Sequence, residues 1–411
     1  MAHDLLLRNA RLPDGRTADV AVDGHAIAAL DATGADAARE LAAEGGLLAP
    51  GFVDCHVHLD KAYIADELPD NESGTLGEAI ANIHDRKREY TVEDVRERAG
   101  RAIEAHVRNG CTRIRTHVDV DTIGGLTPLR GVVEAREAWA DVVDVQVVAF
   151  PQEGVVQDPG TAELLADALE EGADAVGGMP ANERSDADTR EHVDACLDIA
   201  TEYGVPVDMH VDETDDPTAR SLEYLAAEAI DRGVEDVTAG HTCALAAYDD
   251  AHAARVVDLL AEAGVNMVTN PPTNLLLQGR HDGHPKRRGI TRVDELREAG
   301  LTVAAGQDCI RDGFYPYGRA SMLETALLTA HAAHLQTPAE RRVAWEMVGA
   351  NAARVMDVDY GLEEGAPATF NVFPPSVETP TDALREGVAP RYVLHEGSVV
   401  AENEVRSAVV A

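Results

Sequence analysis

The stretch REHVDACLDIATEYGVPVDMHV, residues 190–211, changes its period partway along. Up to Gly204, apolar side chains recur every three or four positions with acids between them, the spacing of an amphipathic helix, and the glycine supplies a stop. The next seven residues, VPVDMHV, form a short valine-rich run that reads as a strand buried on both faces. A helix leading into an apolar strand is half of a βα repeat, and the same texture extends in both directions. Further amphipathic segments are TAELLADALEEG (161–172) and ARVVDLLAEAG (254–264). Further strand candidates are GFVDCHVHL (51–59), TRIRTHVDV (112–120), VVDVQVVAF (142–150), ADAVGGM (173–179), VTAGH (237–241), VNMVTN (265–270) and LTVAAGQD (301–308). Eight strands alternating with helices predict an α/β fold, a (β/α)8 TIM-like barrel over residues 49–361, with its chemistry at the carboxyl ends of the strands. A doubly wound open sheet is the structural alternative, but no glycine-rich phosphate turn follows the first strand.

Outside this region the texture changes. Residues 1–48 (LLLRNARL, ADVAVDG, HAIAAL) and 362–411 (ATFNVF, RYVLHEG, SVVAENEV) read as short strands separated by glycine and proline. The chain of 411 residues is 45% hydrophobic, ample for a packed core, and far from the composition of disordered proteins. Its 35 basic and 74 acidic residues leave a net charge of −39, a field that repels phosphate backbones and anionic lipid, so neither nucleic acid nor a membrane is an expected partner. Lys61, Lys87 and Lys286 are its only lysines. An acidic surface with arginine carrying nearly all the positive charge is the composition of a halophilic protein. Five widely spaced cysteines without a C-x-x-C fit a reducing, cytoplasmic compartment, and neither a signal peptide nor an 18-residue apolar span is expected.

The strand ends carry the polar residues. His56 and His58 lie two apart on the first strand, so both imidazoles share a face, the start of a metal site. His210 closes the fifth strand, His241 the sixth and Asp308 the eighth. Ionisable groups at the ends of apolar strands are costly to bury without partners, and five of them converging points to a site. Glu213, three residues beyond His210, lies on the loop over the barrel mouth, where a general acid/base must stand. His117, near Asp119 at the end of the second strand, is a candidate for a supporting role. The remaining histidines singled out, such as His84, His106 and His192 in helical segments, read as structural or solvated.

These residues and the blocks around them, LLAPGFVDCHVHLD (47–60), AFPQEG (149–154), HVDETDD (210–216), GHTCAL (240–245) and above all NPPTNLLLQGRHDGHPKRRGITRVDEL (270–296), resemble the cytosine deaminase branch of the amidohydrolase superfamily. The resemblance implies one divalent metal ion per chain, Zn or Fe(II), held by His56, His58, His210 and Asp308. It implies Glu213 as proton shuttle, His241 and Asp308 as the groups orienting the attacking water, and Gln152 as the amide that reads the substrate ring. It implies that the terminal segments, 1–48 and 362–411, build one composite β-sandwich. The expected reaction is hydrolytic deamination of an amino-substituted nitrogen heterocycle, in which metal-activated water attacks the amidine carbon and ammonia leaves. Binuclear members of the superfamily carry a carboxylated lysine at the fourth strand, and ADAVGGMPANER (173–184) has none, which argues for a single ion. The H-x-E and P-C-x-x-C signature of the small zinc cytidine deaminases is absent.

Two departures bear on the substrate. Cys309 stands where cytosine-specific members have an acid facing the pyrimidine, with Phe314 in place of a tryptophan. Lys61, in HLDKAY, has a counterpart in relatives acting on aminotriazines and suits a ring bearing an extra carbonyl or anionic oxygen. Gln152, Lys61, Cys309 and Phe314 are therefore the expected substrate contacts. The alternatives are a C–N hydrolase of another cyclic amidine, such as an N-substituted ammelide or isoguanine, and a non-catalytic metal- or heterocycle-binding protein. A small-molecule heterocycle is the expected partner, and a homo-oligomer stays open.

Overall fold

Eight parallel strands pair strictly in chain order: Phe52–Val57, Cys111–Asp119, Asp144–Phe150, Ala175–Val176, Val207–Val211, Val237–His241, Asn266–Thr269 and Val303–Ala305. A parallel bridge between Val57 and Asp308 joins the first strand to the chain just past the last, closing the barrel. This is the (β/α)8 architecture expected from the alternation. In this computed structural model, residues 2–69, 72, 76–404 and 409 are described. Each of the eight apolar runs contains one strand. The fourth is cut to two residues because Gly177 and Gly178 follow it.

The stretch that decided the fold behaves as its period dictates. Its helix spans Asp186–Tyr203, starting where the Ser185 side chain accepts from the Asp188 backbone N–H and ending at Gly204, with φ 66°. It buries His192, Val193, Cys196, Leu197 and Ala200 against the barrel and leaves its acids outward. The cap places the start four residues before the quoted stretch begins.

The chain ends build two four-stranded sheets. One takes its strands from the N-terminal segment alone (His3–Arg11, Thr17–Asp23, Ala26–Ala29 and Ala37–Ala42), whereas the other pairs Leu48–Pro50 with Phe370–Val372, Tyr392–His395 and Ser398–Glu402. Leu5, Leu7, Val20 and Val22 of the first share one apolar cluster with Leu48, Phe370 and Leu394 of the second. Residue 1 and residues 405–408, 410 and 411 of the terminal ranges lie outside the described residues. Within 362–411 one segment departs from the strand reading: Pro380–Glu386 is a helix, capped by Thr379 and ended by Gly387 at φ 60°, and its Ala383 and Leu384 pack with the barrel's core. Among the described residues no helix is long and apolar enough to cross a membrane, and all five cysteines are buried and free.

Candidate active site

Barrel closure itself assembles the first part of the site. Asp308 N–H donates to the carbonyl of His56 at 2.8 Å, and His58 N–H donates to the carbonyl of Asp308 at 3.0 Å. Asp308 is thus stitched between the two histidines, its carboxylate 3.7 Å from His56 Nε2 and 3.4 Å from His58 Nε2. The backbone turns sharply there: Asp308 has φ 65°, His241 φ 66° and Thr242 φ 49°, left-handed conformations that side-chain-bearing residues hold only where the surroundings over-determine them. Two glycines leave room for His56, one against its backbone and one against its ring. A Cβ on Gly306 would lie 2.7 Å from the His56 backbone oxygen, and one on Gly240 would lie 3.0 Å from its Cε1.

The fifth and sixth strands supply the other wall. Their register pairs His210 with Gly240 and Val211 with His241. His210 Nε2 comes 3.1 Å from His58 Nε2, and one donor atom from each of His56, His58, His210 and Asp308 lies within 4.8 Å of all the others. Next to this group, His241 Nδ1 sits 3.1 Å from Glu213 Oε1 and 3.0 Å from Asn274 Oδ1, while Asn274 Nδ2 donates to the same Glu213 oxygen at 2.8 Å. Asn270 Nδ2 approaches His241 Nε2 at 3.2 Å. Burial alone depresses the His241 imidazole, but the Glu213 and Asp308 carboxylates outweigh it and raise its pKa to about 9. Burial pushes Asp308 up to about 7.

These four donors fit a metal ion. Burial, reinforced by neighbouring rings and at His58 first by the Lys61 ammonium, holds His56, His58 and His210 well below the ordinary imidazole pKa, so all three present neutral nitrogens. The Nδ1 of His58 faces the carbonyl of His117 at 2.9 Å, which places its proton there and bares Nε2. Both ring nitrogens of His56 are buried without a hydrogen-bond partner. Bare nitrogens crowded beside a carboxylate are costly unless a cation draws them together.

A cavity of about 760 Å³ opens over this group. Every expected metal ligand, catalytic residue and substrate contact except His56 lines it: His58, Lys61, Gln152, His210, Glu213, His241, Asp308, Cys309 and Phe314. Cys309 Sγ is 3.7 Å from Asp308 Oδ1. Lys61, only 1% exposed, does not stand free in this space: its Nζ donates to Asp119 Oδ1 at 2.7 Å and to Gln152 Oε1 at 3.0 Å. The other oxygen of Asp119 lies 2.6 Å from Lys87 Nζ, which also meets Asp121 at 2.8 Å and Glu153 at 3.2 Å. The two ammonium groups overcome the upward push of burial and hold Asp119 at about 2. His117 contributes its carbonyl to His58 and packs its ring, tilted by 35°, with its centroid 4.2 Å from that of His56.

Reading the sequence did not single out Asn270, Asn274, Lys87, Asp121 or Glu153. The first two were within reach, since both belong to the NPPTN run at the end of the seventh strand and the start of the helix Pro271–Leu277. Lys87 gives no such signal, being one polar residue at the end of the helix Leu76–Lys87.

The barrel and its site define a metal-dependent hydrolase, and comparison with known proteins agrees. The chain belongs to the amidohydrolase family, whose sequence model matches residues 74–401. It is similar to a pterin deaminase of Rhizobium rhizogenes, 33% identical over 86% of this chain and 80% of that protein. Among solved structures it resembles 5-methylcytosine deaminase from Klebsiella pneumoniae liganded with 5-fluorocytosine, with TM-score 0.93 and 38% identity, covering 98% of this chain and 99% of that one. It also resembles N-isopropylammelide isopropylaminohydrolase from Burkholderia multivorans, with TM-score 0.86 and 33% identity over 98% and 99% of the two chains. The chain is a hydrolase acting on C–N bonds of cyclic compounds.

Proposed function

We propose that the protein is a mononuclear deaminase that removes an exocyclic amino group from a nitrogen heterocycle as ammonia. One observation carries the reading: three neutral imidazoles and a carboxylate converge beside a Glu213–His241 pair at the floor of a cavity large enough for a bicyclic ring. His56, His58, His210 and Asp308 would hold one divalent cation, three nitrogen donors and one oxygen donor suiting Zn(II) and Fe(II) alike. When bound, such an ion supplies Lewis acidity that makes water a competent nucleophile near neutral pH.

The chain's own residues do the rest. Glu213, its Oε1 steadied by Asn274, takes a proton from water as the water oxygen bonds to the amidine carbon, and delivers that proton to the ring nitrogen that receives the C=N electron pair. His241, held by Glu213 and by Asn274, orients the water and offsets the developing negative charge. Cleavage of the C–N bond, with the second water proton carried onto the departing amine, releases ammonia. Gln152, Cys309 and Phe314 hold the ring, with Lys61 behind Gln152. We take residues 49–361 as the catalytic unit and the segments 1–48 and 362–411 as its accessory. The five free cysteines support a cytoplasmic site of action, and the acid-rich composition supports one in concentrated salt.

The N-isopropylammelide hydrolase among the relatives favours one variant of this reading, the same displacement with an alkylamine leaving in place of ammonia. A panel of amino-substituted pyrimidines, pterins and triazines, assayed at molar salt for released ammonia or amine, tests both. Release from at least one ring is expected, and none from any would overturn the deaminase reading.

A further inference from the structure

The contact between Lys61 and Gln152 fixes more than a position. An ammonium has three donors and no acceptor, so the amide atom 3.0 Å from Lys61 Nζ is the oxygen, and turning the amide over would set two donors against each other in a half-buried place. Lys61 cannot swing away to relieve such a clash. It is 1% exposed, its ammonium is bound at 2.7 Å to Asp119, and Asp119 is itself clamped on its other side by Lys87. Burial favours its neutral form, but Asp119 and Asp60 outweigh burial and keep it charged. The backbone of Gln152 is tied as well, its carbonyl accepting from Asn182 Nδ2. Gln152 Nε2 has no hydrogen-bond partner among the described residues, and the side chain lines the cavity.

We propose that Lys61 is a positioning residue that locks the Gln152 amide with its NH2 toward the cavity, so that the site favours rings that present a carbonyl oxygen to that NH2 over rings that present an amino group there. The inference rests on the deaminase reading for where the ring sits and goes beyond it in naming the residue that fixes which way the Gln152 amide faces. Lys61 thereby acts on specificity through Gln152, without having to touch the substrate.

The test compares cytosine with 2,4-diaminopyrimidine, which share the aminated carbon and carry oxo or amino at carbon two. Ammonia release from the metal-loaded protein gives kcat and KM. Calorimetry on the Glu213→Gln protein gives Kd for both rings without turnover. The wild-type site is expected to favour cytosine by at least about tenfold in kcat/KM and Kd, the factor that one unpaired buried donor commands. In Lys61→Met the amide is free to turn, and the preference should shrink to within about threefold. In Gln152→Glu the Lys61-bound carboxylate offers only acceptors, and the preference should invert toward the diamino ring, a gain that a merely structural role does not produce. Equal handling of the two rings by the wild type, or an unchanged preference in Gln152→Glu, overturns the inference while the deaminase reading stands. Binding of both rings without ammonia from either leaves the Kd ratio to decide the role of Lys61, and binding of neither overturns the inference; in both cases the deaminase reading stands or falls on the wider panel.

Discussion

Glu213 and its neighbours divide the labour between holding a metal ion and moving a proton, and substitution can separate the two. Glu213 lies outside the His56, His58, His210 and Asp308 group, with Oε1 engaged by Asn274 and His241. Glu213→Gln keeps the shape and loses the proton carrier, so turnover should fall by about 10²–10⁴-fold. Metal content by elemental analysis should stay at the wild-type value; near-normal turnover would retire Glu213 as the shuttle. His210→Ala acts on the other function. It removes one of four donors and should strip the ion, whereas the unaltered protein should carry one ion per chain. Two tightly held ions per chain would overturn the mononuclear reading.

Elements carry the supporting charges across long distances in sequence. The helix Leu76–Lys87 ends in a lysine whose ammonium reaches Asp119 at the end of the second strand and Glu153 beyond the third. Lys87→Met leaves Asp119, Asp121 and Glu153 short of a counter-charge in a buried place, and breaking such an array should cost about 3–5 kcal/mol of stability, measured by denaturant unfolding. A cost below about 1 kcal/mol would show the array to be dispensable. Lys87 also marks where sequence reading stopped. The strands were legible because valine-rich runs repeat between acidic amphipathic helices, and the site because strand ends in a closed barrel must converge: His56, His58, His210, His241 and Asp308 needed only the fold. Lys87 is polar at a helix end, a pattern shared with solvated residues, and only tertiary contact reveals its partners. Asn270 and Asn274 look like turn residues until the helix Pro271–Leu277 sets them against His241. The helix Pro380–Glu386 was readable in principle, since threonine, proline, threonine and aspartate ahead of a glycine form a start and a stop. The surrounding β-rich texture obscured it.

At the scale of the molecule, charge sets the working solvent. The helix Asp186–Tyr203 alone exposes Asp186, Glu191, Asp198 and Glu202, and across the chain acids outnumber basic residues by 74 to 35. Such acids repel one another when unscreened, and the screening length falls from about 10 Å at 0.1 M salt to about 3 Å at 1 M. The melting temperature should therefore rise steeply between low and molar KCl, as a thermal scan will report. A flat profile would refute adaptation to salt.

The sheet shared by the chain's two ends has a consequence for biosynthesis. Leu48–Pro50 leaves the ribosome before any barrel strand, and the strand it pairs with, Phe370–Val372, leaves after all eight. At about 5–20 residues per second, that partner arrives on the order of tens of seconds later. Throughout the interval Leu48 and the N-terminal sheet present an uncovered apolar face, because Phe370 and Leu394 are still to come. The nascent chain is thus most adhesive while its barrel is being made and loses that character once Phe370 and Leu394 have emerged. A message broken before codon 370 yields a product that quality control can recognise by touch, however well its barrel has formed.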